Sequence, residues 1–443
     1  MAEKMASASV NNLGDIDNYL EEFMRWPDYI KNEFRRSRPV SHRALLLTLA
    51  VLGKQSPGFI TSAQQELLTA LGVQSKPEVS IGQPDIEGRL AELEVKLIDG
   101  FAFLDRARPG LSRTILRHVW INYWDLHDKL LDWMAGLPAR FENGSGIAPQ
   151  VAVAVVALAI DVKDPSIIES VAKNADLDSR QRELATEVLT LAVRDAEVGQ
   201  FTRELLLKWS RSKSVGNQKS VLQVCNSSFG VDYPGYALTR LRWLLLGDDT
   251  SVTEGAEKSL RRLAAEIRPD DLVMQTAVSW IKQSGAVRRA GKMAFVALVT
   301  PESRYAPHLD GLVRKAVSLN AGHNALKVGW RAILRDSSHR HKATIVIQQW
   351  TAAIAAGELE EESAYAFLFD VLCEVAIEDL SILEALIDPV NPGSDSFGAL
   401  QFRQLRRQVL RAVFGRRKLE PVPFQAAVGA AAHPSASEDR EAL

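Results

Sequence analysis

Four stretches of the chain share one plan: a helix carrying a tryptophan near its end, a short polar loop, and a second apolar helix. They read LLLKWSRSKSVGNQKSVLQVC, LRWLLLGDDTSVTEGAEKSLRRLAA, VSWIKQSGAVRRAGKMAFVALV and VGWRAILRDSSHRHKATIVIQQW. Trp209, Trp243, Trp280 and Trp330 mark them, at spacings of 34, 37 and 50 residues. The first two spacings are those of a helix-pair repeat, and the third requires an insertion or one degenerate unit. A helix pair cannot bury its apolar face alone, so neighbouring pairs must stack. The expected fold is mainly α: a HEAT-like α-solenoid over 119–414, preceded by a small winged-helix-like module with one β-hairpin.

The region before the repeats is organised differently. Residues 1–40 form an N-terminal tail and an amphipathic helix, with Leu20, Phe23, Trp26, Ile30 and Phe34 at three- and four-residue spacing and Pro27 as a kink. A second helix opens at Ser41 and closes at Gly53. A third, SAQQELLTALG (62–72), pairs Ser62 with Gln65 as a capping box and ends at Gly72. Another helix is expected at 87–96. The period then switches to an alternation centred on Asp99-Gly100, a strong hairpin signal. Helices followed by a hairpin give 41–118 the order of a winged helix. Beyond residue 414 the composition turns to Ala, Pro and Ser, so 415–443 reads as a disordered tail.

Residues 116–137, LRHVWINYWDLHDKLLDWMAGL, concentrate three tryptophans, two histidines and three aspartates. Placed on one helix, Leu116, Val119, Tyr123, Leu126, Leu130 and Trp133 share a face. His118 and His127 then lie nine residues, or two and a half turns, apart and point to opposite sides. They cannot share a metal unless the helix breaks between them, and a zinc or iron site needs more His or Cys ligands than this. The stretch reads as an aromatic joint between module and solenoid, and no cofactor is expected.

Other candidates for chemistry are weak. GAVRRAGKM (285–293) imitates a phosphate loop, but five residues separate its glycines, Met293 replaces the magnesium-binding hydroxyl, and no strand precedes it. RDSSHRHKA collects Arg335, His339, Arg340 and Lys342 (with His341) at a helix start, where phosphate binding competes with the plainer reading of a solvated loop between helices. The helix at 402–418 carries Arg403, Arg406, Arg407, Arg411, Arg416, Arg417 and Lys418 beside an apolar stripe of Phe402, Leu405, Val409, Ala412 and Val413. It serves as a polar cap on the array, or as a surface for nucleic acid, anionic membrane or an acidic partner. Cys225 and Cys373 stand alone on apolar stretches and read as buried free thiols in a reducing cytoplasm. The N-terminus has no signal-peptide core, and the longest apolar run, 151–160, is about half a bilayer span.

Charge argues against a general nucleic-acid binder: 53 basic and 55 acidic side chains leave a net −2. Segment 41–118 holds nine Lys/Arg and eight Asp/Glu, and its expected recognition helix carries Glu87, Glu92 and Glu94 against Arg89 and Lys96. Such a helix releases few counterions from DNA, so a protein-contacting winged helix fits better. ALLLTLAVLGKQSPG, the Asp99-Gly100 hairpin, ARPGLSRTILRHVW with LLDW, and ELLLKWSRSKS resemble the region that follows the ATPase module in actinobacterial STAND-type NTPases. That resemblance, over roughly 41–350, implies a winged helix followed by a helical-repeat sensor. With no Walker motif present, it implies neither ATP hydrolysis nor any catalytic residue. The expected function is a non-enzymatic scaffold for another protein, with a separately encoded NTPase as one candidate partner. A nucleic-acid-associated regulator and an enzyme of unrecognised type are the alternatives.

Overall fold

The computed structural model describes residues 39–73, 85–108, 110–140, 146–173, 178–267, 271–318, 325–379 and 397–417, with positions 26, 28–31, 33, 34 and 382. The protein is mainly helical, and the described residues contain one two-stranded sheet. It divides into two compact units, Met1–Leu298 and Val299–Leu443. The sequence reading drew no boundary there.

Unit 1 opens with α1 (Val40–Leu52), α2 (Pro57–Ala70) and α3 (Ile86–Glu92), then β1 (Leu97–Ile98) and β2 (Phe101–Ala102). Asp99 and Gly100 both have positive φ, 53° and 77°, the backbone of a two-residue hairpin turn whose twist matches that of the strands. Leu97 therefore faces Ala102 and Ile98 faces Phe101, as the alternation predicted. Gln55, in the α1–α2 loop, bridges Ala102 through N–H···O bonds of 2.9 and 3.1 Å. Three expected helix ends are displaced. Helix α1 starts at Val40 after Pro39, with no side-chain cap, so Ser41 lies inside it. Helix α2 starts five residues before Ser62, because Pro57 occupies its first turn, where the missing N–H costs nothing; the Ser62 hydroxyl bonds back to the Gly58 carbonyl instead. Helix α3 stops at Glu92 and not at 96, since Glu94 takes a left-handed backbone (φ 58°) and the Val95 N–H returns to the Leu90 carbonyl.

The short helix α4 (Leu104–Ala107) leads to α5 (Leu111–Asn122) and α6 (His127–Arg140), separated by a 3₁₀ turn at Trp124–Leu126. This corrects the single helix expected over 116–137. The break has local causes: the Asn122 amide donates to the His118 carbonyl, and the His127 Nε2 takes the Trp120 carbonyl at 2.6 Å, so side chains satisfy groups that a continuing helix would use. His127 stacks on Trp120 at 3.6 Å while His118 packs on Phe34, so the two rings part even with the helix broken. Trp133 is fully buried and its indole N–H reaches the Ala63 carbonyl, joining α6 to α2. Of the expected N-terminal helix, Trp26 and Ile30 are buried, while Leu20, Phe23 and Pro27 fall outside the described residues.

Helix pairs follow: α7 (Ile147–Val162), α8 (Ser166–Ala172), α9 (Ser179–Ala192), α10 (Gly199–Ser210), α11 (Val215–Cys225), the short α12 (Ser228–Asp232), α13 (Pro234–Leu244), α14 (Thr250–Glu266), α15 (Leu272–Ile281) and α16 (Gly285–Val299). Helix α9 packs on α11 and α11 on α14, while α10 packs on α13. Side-chain bonds between helices recur at one separation: Arg194 to Ser228, Arg262 to Asn226, Arg261 to Ala297, Thr186 to Gln223, Arg240 to Arg203 and Lys208 to Glu169 are 34, 36, 36, 37, 37 and 39 residues apart. In the earlier part of the unit the corresponding separations are 48, 70 and 74, from Arg113–Asp161, Trp133–Ala63 and Arg140–Glu66. The phosphate-loop lookalike is the first half of helix α16. Its Gly291 is there for packing, since a Cβ would come within 2.6 Å of the Ile281 nitrogen.

Unit 2 contains α17 (Ala306–Ser318), α18 (Ala325–Leu334), α19 (Ser337–Ala355), α20 (Glu361–Glu378) and α21 (Phe397–Arg417). Trp330 and Trp350 meet edge to face at 5.6 Å with no exposed surface, and Phe367 stacks on Trp350. The Trp350 indole donates to the Val299 carbonyl at 2.6 Å. Asp310, itself buried, accepts the Glu360 N–H at the start of α20. Leu405, Val409 and Val413 are buried as the stripe on α21 predicted, though that helix begins at Phe397 and continues to Arg417. Residues 418–443, the rest of the expected tail, lie outside the described residues.

Candidate functional site

The basic residues singled out from sequence are distributed over two elements of unit 2. The 335–343 stretch is not a loop: Asp336 caps α19 by accepting the Ser338 N–H, and everything after it is helical. Arg335 pairs with Glu378, and Arg340 donates to Asp379 (3.0 Å) and to the Leu334 carbonyl. His339 contacts Asp336 at 3.1 Å, and Lys342 is exposed. These pairs extend a row along α18 and α20, in which Lys327 meets Asp370 (2.6 Å) and Glu374 (3.3 Å), and Arg331 meets Glu374. Positions 327, 331 and 335 rise one turn at a time, as do 370, 374 and 378, so one helix face of cations meets one of carboxylates. The hydrogen bond it donates to Asp370, reinforced by Glu374, holds the Lys327 ammonium above its ordinary pKa. The cluster that suggested phosphate binding already has its anions.

On α21, Arg403, Arg407 and Arg411 are exposed and Arg406 is half-buried, on the side away from the buried stripe. The side chains of Arg416 and Arg417, and Lys418 altogether, lie outside the described residues.

Sequence reasoning missed the site that the structure builds in unit 1. Residues 199–298 carry fifteen Lys/Arg against nine Asp/Glu, a local surplus that the whole-chain balance conceals. Part of it is gathered on helices α10 and α13. Arg203 and Arg240 both lie over the Tyr236 ring, 5.5 and 5.3 Å from its centroid. Two turns further on, Arg211 lies over Trp243 at 4.5 Å, and Arg242 sits between Trp243 (5.7 Å) and Trp280 of α15 (5.6 Å). The rings hold the guanidinium planes by cation–π attraction, which strengthens as water is excluded. Trp280 thus does two jobs, core and cation platform, whereas the half-buried Trp243 does the second.

None of these four arginines has a carboxylate partner among the described residues. Arg240 is 3% exposed and donates only to the Tyr236 and Arg203 carbonyls. Its Nε, the Arg242 Nε and the Trp243 indole N–H are buried without an acceptor. Burial pushes the Arg240 pKa down, with Arg203 and Arg211 adding like-charge repulsion, and burial followed by Arg211 does the same to Arg242. Three carboxylates in the adjoining segments are engaged elsewhere: Asp232 pairs with Arg194, Asp249 accepts the Val252 N–H at the start of α14, and Glu204 accepts from Gln200. Cations held close together against rings, without counter-charges, project a concentrated positive field.

A shallow polar cleft of about 330 Å³ is lined by Ser179, Arg182, Glu183, Thr186, Glu187 and Gln223, and Thr186 donates to Gln223 within it. Cys225 and Cys373 are buried thiols, and burial pushes Cys225 up to about 12, so it is no nucleophile at neutral pH. Asp105, raised by burial, accepts the Ser112 N–H at the start of α5. Among the described residues no three His, Cys, Asp or Glu converge to hold a metal ion, and no helix is long and apolar enough to cross a membrane.

Comparison of the chain with protein families and with curated protein sequences gives no match. Among solved structures, it is similar to the crystal structure of an engineered protein, a structural-genomics target, at 12% identity over 84% of this chain and 98% of that one, with a TM-score of 0.23. A likeness at that level carries no argument about fold or function.

Proposed function

We propose that the chain is a non-enzymatic helical-repeat scaffold that binds another protein along the stacked helices of unit 1. The observation that carries this reading is the recurrence of inter-helix side-chain bonds at 34–39 residues through 169–297. Bonds at one repeat length are what a HEAT-like solenoid makes, because each unit touches only its neighbours. An array of that kind presents successive helices side by side as one extended surface. The order α1, α2, α3, β1, β2, with Gln55 adding a third edge to the hairpin, supports a winged-helix-like module ahead of the array. Together they make up the sensor half that the STAND-type resemblance implies, and a separately encoded NTPase is the kind of partner such a half would serve.

Site-specific photo-cross-linking in cells tests the reading. A photoreactive residue at exposed Lys208 or Tyr236 should give a discrete protein adduct, and the same probe at exposed Lys163 should not. Turnover of a small molecule by the purified chain, with no adduct from either position, would replace the scaffold by an enzyme. A second reading rests on Arg407 and Arg411, exposed one turn apart on α21. If that helix docks on nucleic acid, replacing both by Gln should flatten the salt dependence of binding by about one unit for each lost phosphate contact.

A further inference from the structure

We propose that the arginine–aromatic ribbon of unit 1, centred on Arg203, Arg211 and Arg242, is a docking site for an acidic peptide segment of a partner protein. The inference rests on the scaffold reading and gives it a surface and a partner chemistry. Three observations carry it. First, the cations are organised. Arg203 and Arg211 are eight residues apart on one helical segment, about 12 Å along its axis, and Tyr236 and Trp243 of α13 provide a ring opposite each. Second, they have no carboxylate partner among the described residues. Arg240 is buried between them with carbonyl acceptors only, so its charge adds to the field at its more exposed neighbours. A carboxylate arriving at Arg211 or Arg242 finds a guanidinium already held flat on indole, with less side-chain entropy left to lose. Third, no such vacancy exists in the other cation row, where Lys327, Arg331, Arg335 and Arg340 all have carboxylates.

The same features weigh against nucleic acid. Stacking of bases needs free ring faces, whereas Trp280 is buried and Trp243 already has two guanidiniums 4.5 and 5.7 Å from its centroid. A polyanion tracking beyond the ribbon also meets Asp248, Asp249 and Glu254 in the next loop and helix. Short acidic side chains avoid both problems.

The test uses the full chain and a fluorescein-labelled poly-glutamate peptide, with an oligothymidylate of equal charge as comparator, at moderate ionic strength. The peptide should bind, and Arg211→Gln with Arg242→Gln should weaken it about ten-fold or more, one charge-assisted contact being worth about that factor. Arg407→Gln with Arg411→Gln removes the same net charge from unit 2 and should leave the affinity within about two-fold. If the Gln pair lowers the thermal transition, Arg211→Lys with Arg242→Lys keeps the charge and should still lose affinity, because lysine lacks the planar fork. Equal weakening by the two Gln pairs, tighter binding of the oligothymidylate, or no peptide binding at all would each overturn the proposal. Its failure differs from failure of the scaffold reading: a cross-linked protein adduct that persists in the Arg211/Arg242 variant keeps the scaffold and removes this site.

Discussion

Unit 1 and unit 2 each carry a row of cations one or two helical turns apart, and among the described residues only the unit 2 row has carboxylate partners. In unit 2, Lys327, Arg331, Arg335 and Arg340 face Asp370, Glu374, Glu378 and Asp379 across α18, α19 and the end of α20. In unit 1, Arg203, Arg211, Arg240 and Arg242 face rings and carbonyls. In and beside the first row, the sequence reading picked the cluster of Arg335, His339, Arg340 and Lys342 as a candidate phosphate contact, while favouring a solvated loop. A cation with a carboxylate at 2.6–3.3 Å is part of the scaffold, whereas one resting on indole retains its attraction for an incoming anion.

The contrast can be broken by mutation, and the largest effect should come from the ring under the unit 1 row. Trp280 is 5% exposed, so Trp280→Ala should cost about 3–5 kcal/mol in chemical denaturation through cavity formation. A loss under about 1 kcal/mol would mean that the ring serves the arginine and not the core. Next comes Glu374→Lys, which removes the partner of both Lys327 and Arg331 and adds a like charge. With all three side chains partly solvated, the expected loss is about 1–2 kcal/mol, screened by salt. Combining it with Arg331→Glu should restore at least half; no restoration would show that the row is incidental.

Smaller effects are expected where no counter-charge exists. Arg240→Met should leave stability within about 1 kcal/mol of wild type, since it removes a buried uncompensated charge and both carbonyl acceptors keep intrahelical partners. A loss above about 3 kcal/mol would identify Arg240 as a structural keystone and weaken the claim of surplus charge. Arg211→Gln, at the exposed end of the ribbon, should shift stability by less than about 0.5 kcal/mol. If instead it destabilises as much as Glu374→Lys, unit 1 has a charge partner for that row after all.

Much of the helical order was legible because periodicity reports which faces are apolar. The Asp99-Gly100 turn, the Gly53 and Gly72 helix ends, and the Leu405, Val409 and Val413 stripe all follow from backbone and burial preferences local to a few residues. Helix starts were harder. Ser41 and Ser62 look like caps, yet Pro39 and Pro57 set the entries earlier. The break at Tyr123 escaped the pattern because the apolar spacing runs through it while Asn122 and His127 take the carbonyls.

By itself, then, the sequence determined that this is a mainly helical protein and where most of its helices run, since these depend on short-range spacing and the hydrophobic effect. It also contained the basic surplus of 199–298, in a form that only a local count reveals. The tertiary structure decided which cations are neutralised. Glu374 lies 43 residues from Arg331, and Trp280 lies 38 from Arg242, so neither pairing can be read from neighbours along the chain. Charge compensation is a property of distance in space falling off over a few ångströms, and only helix packing sets those distances.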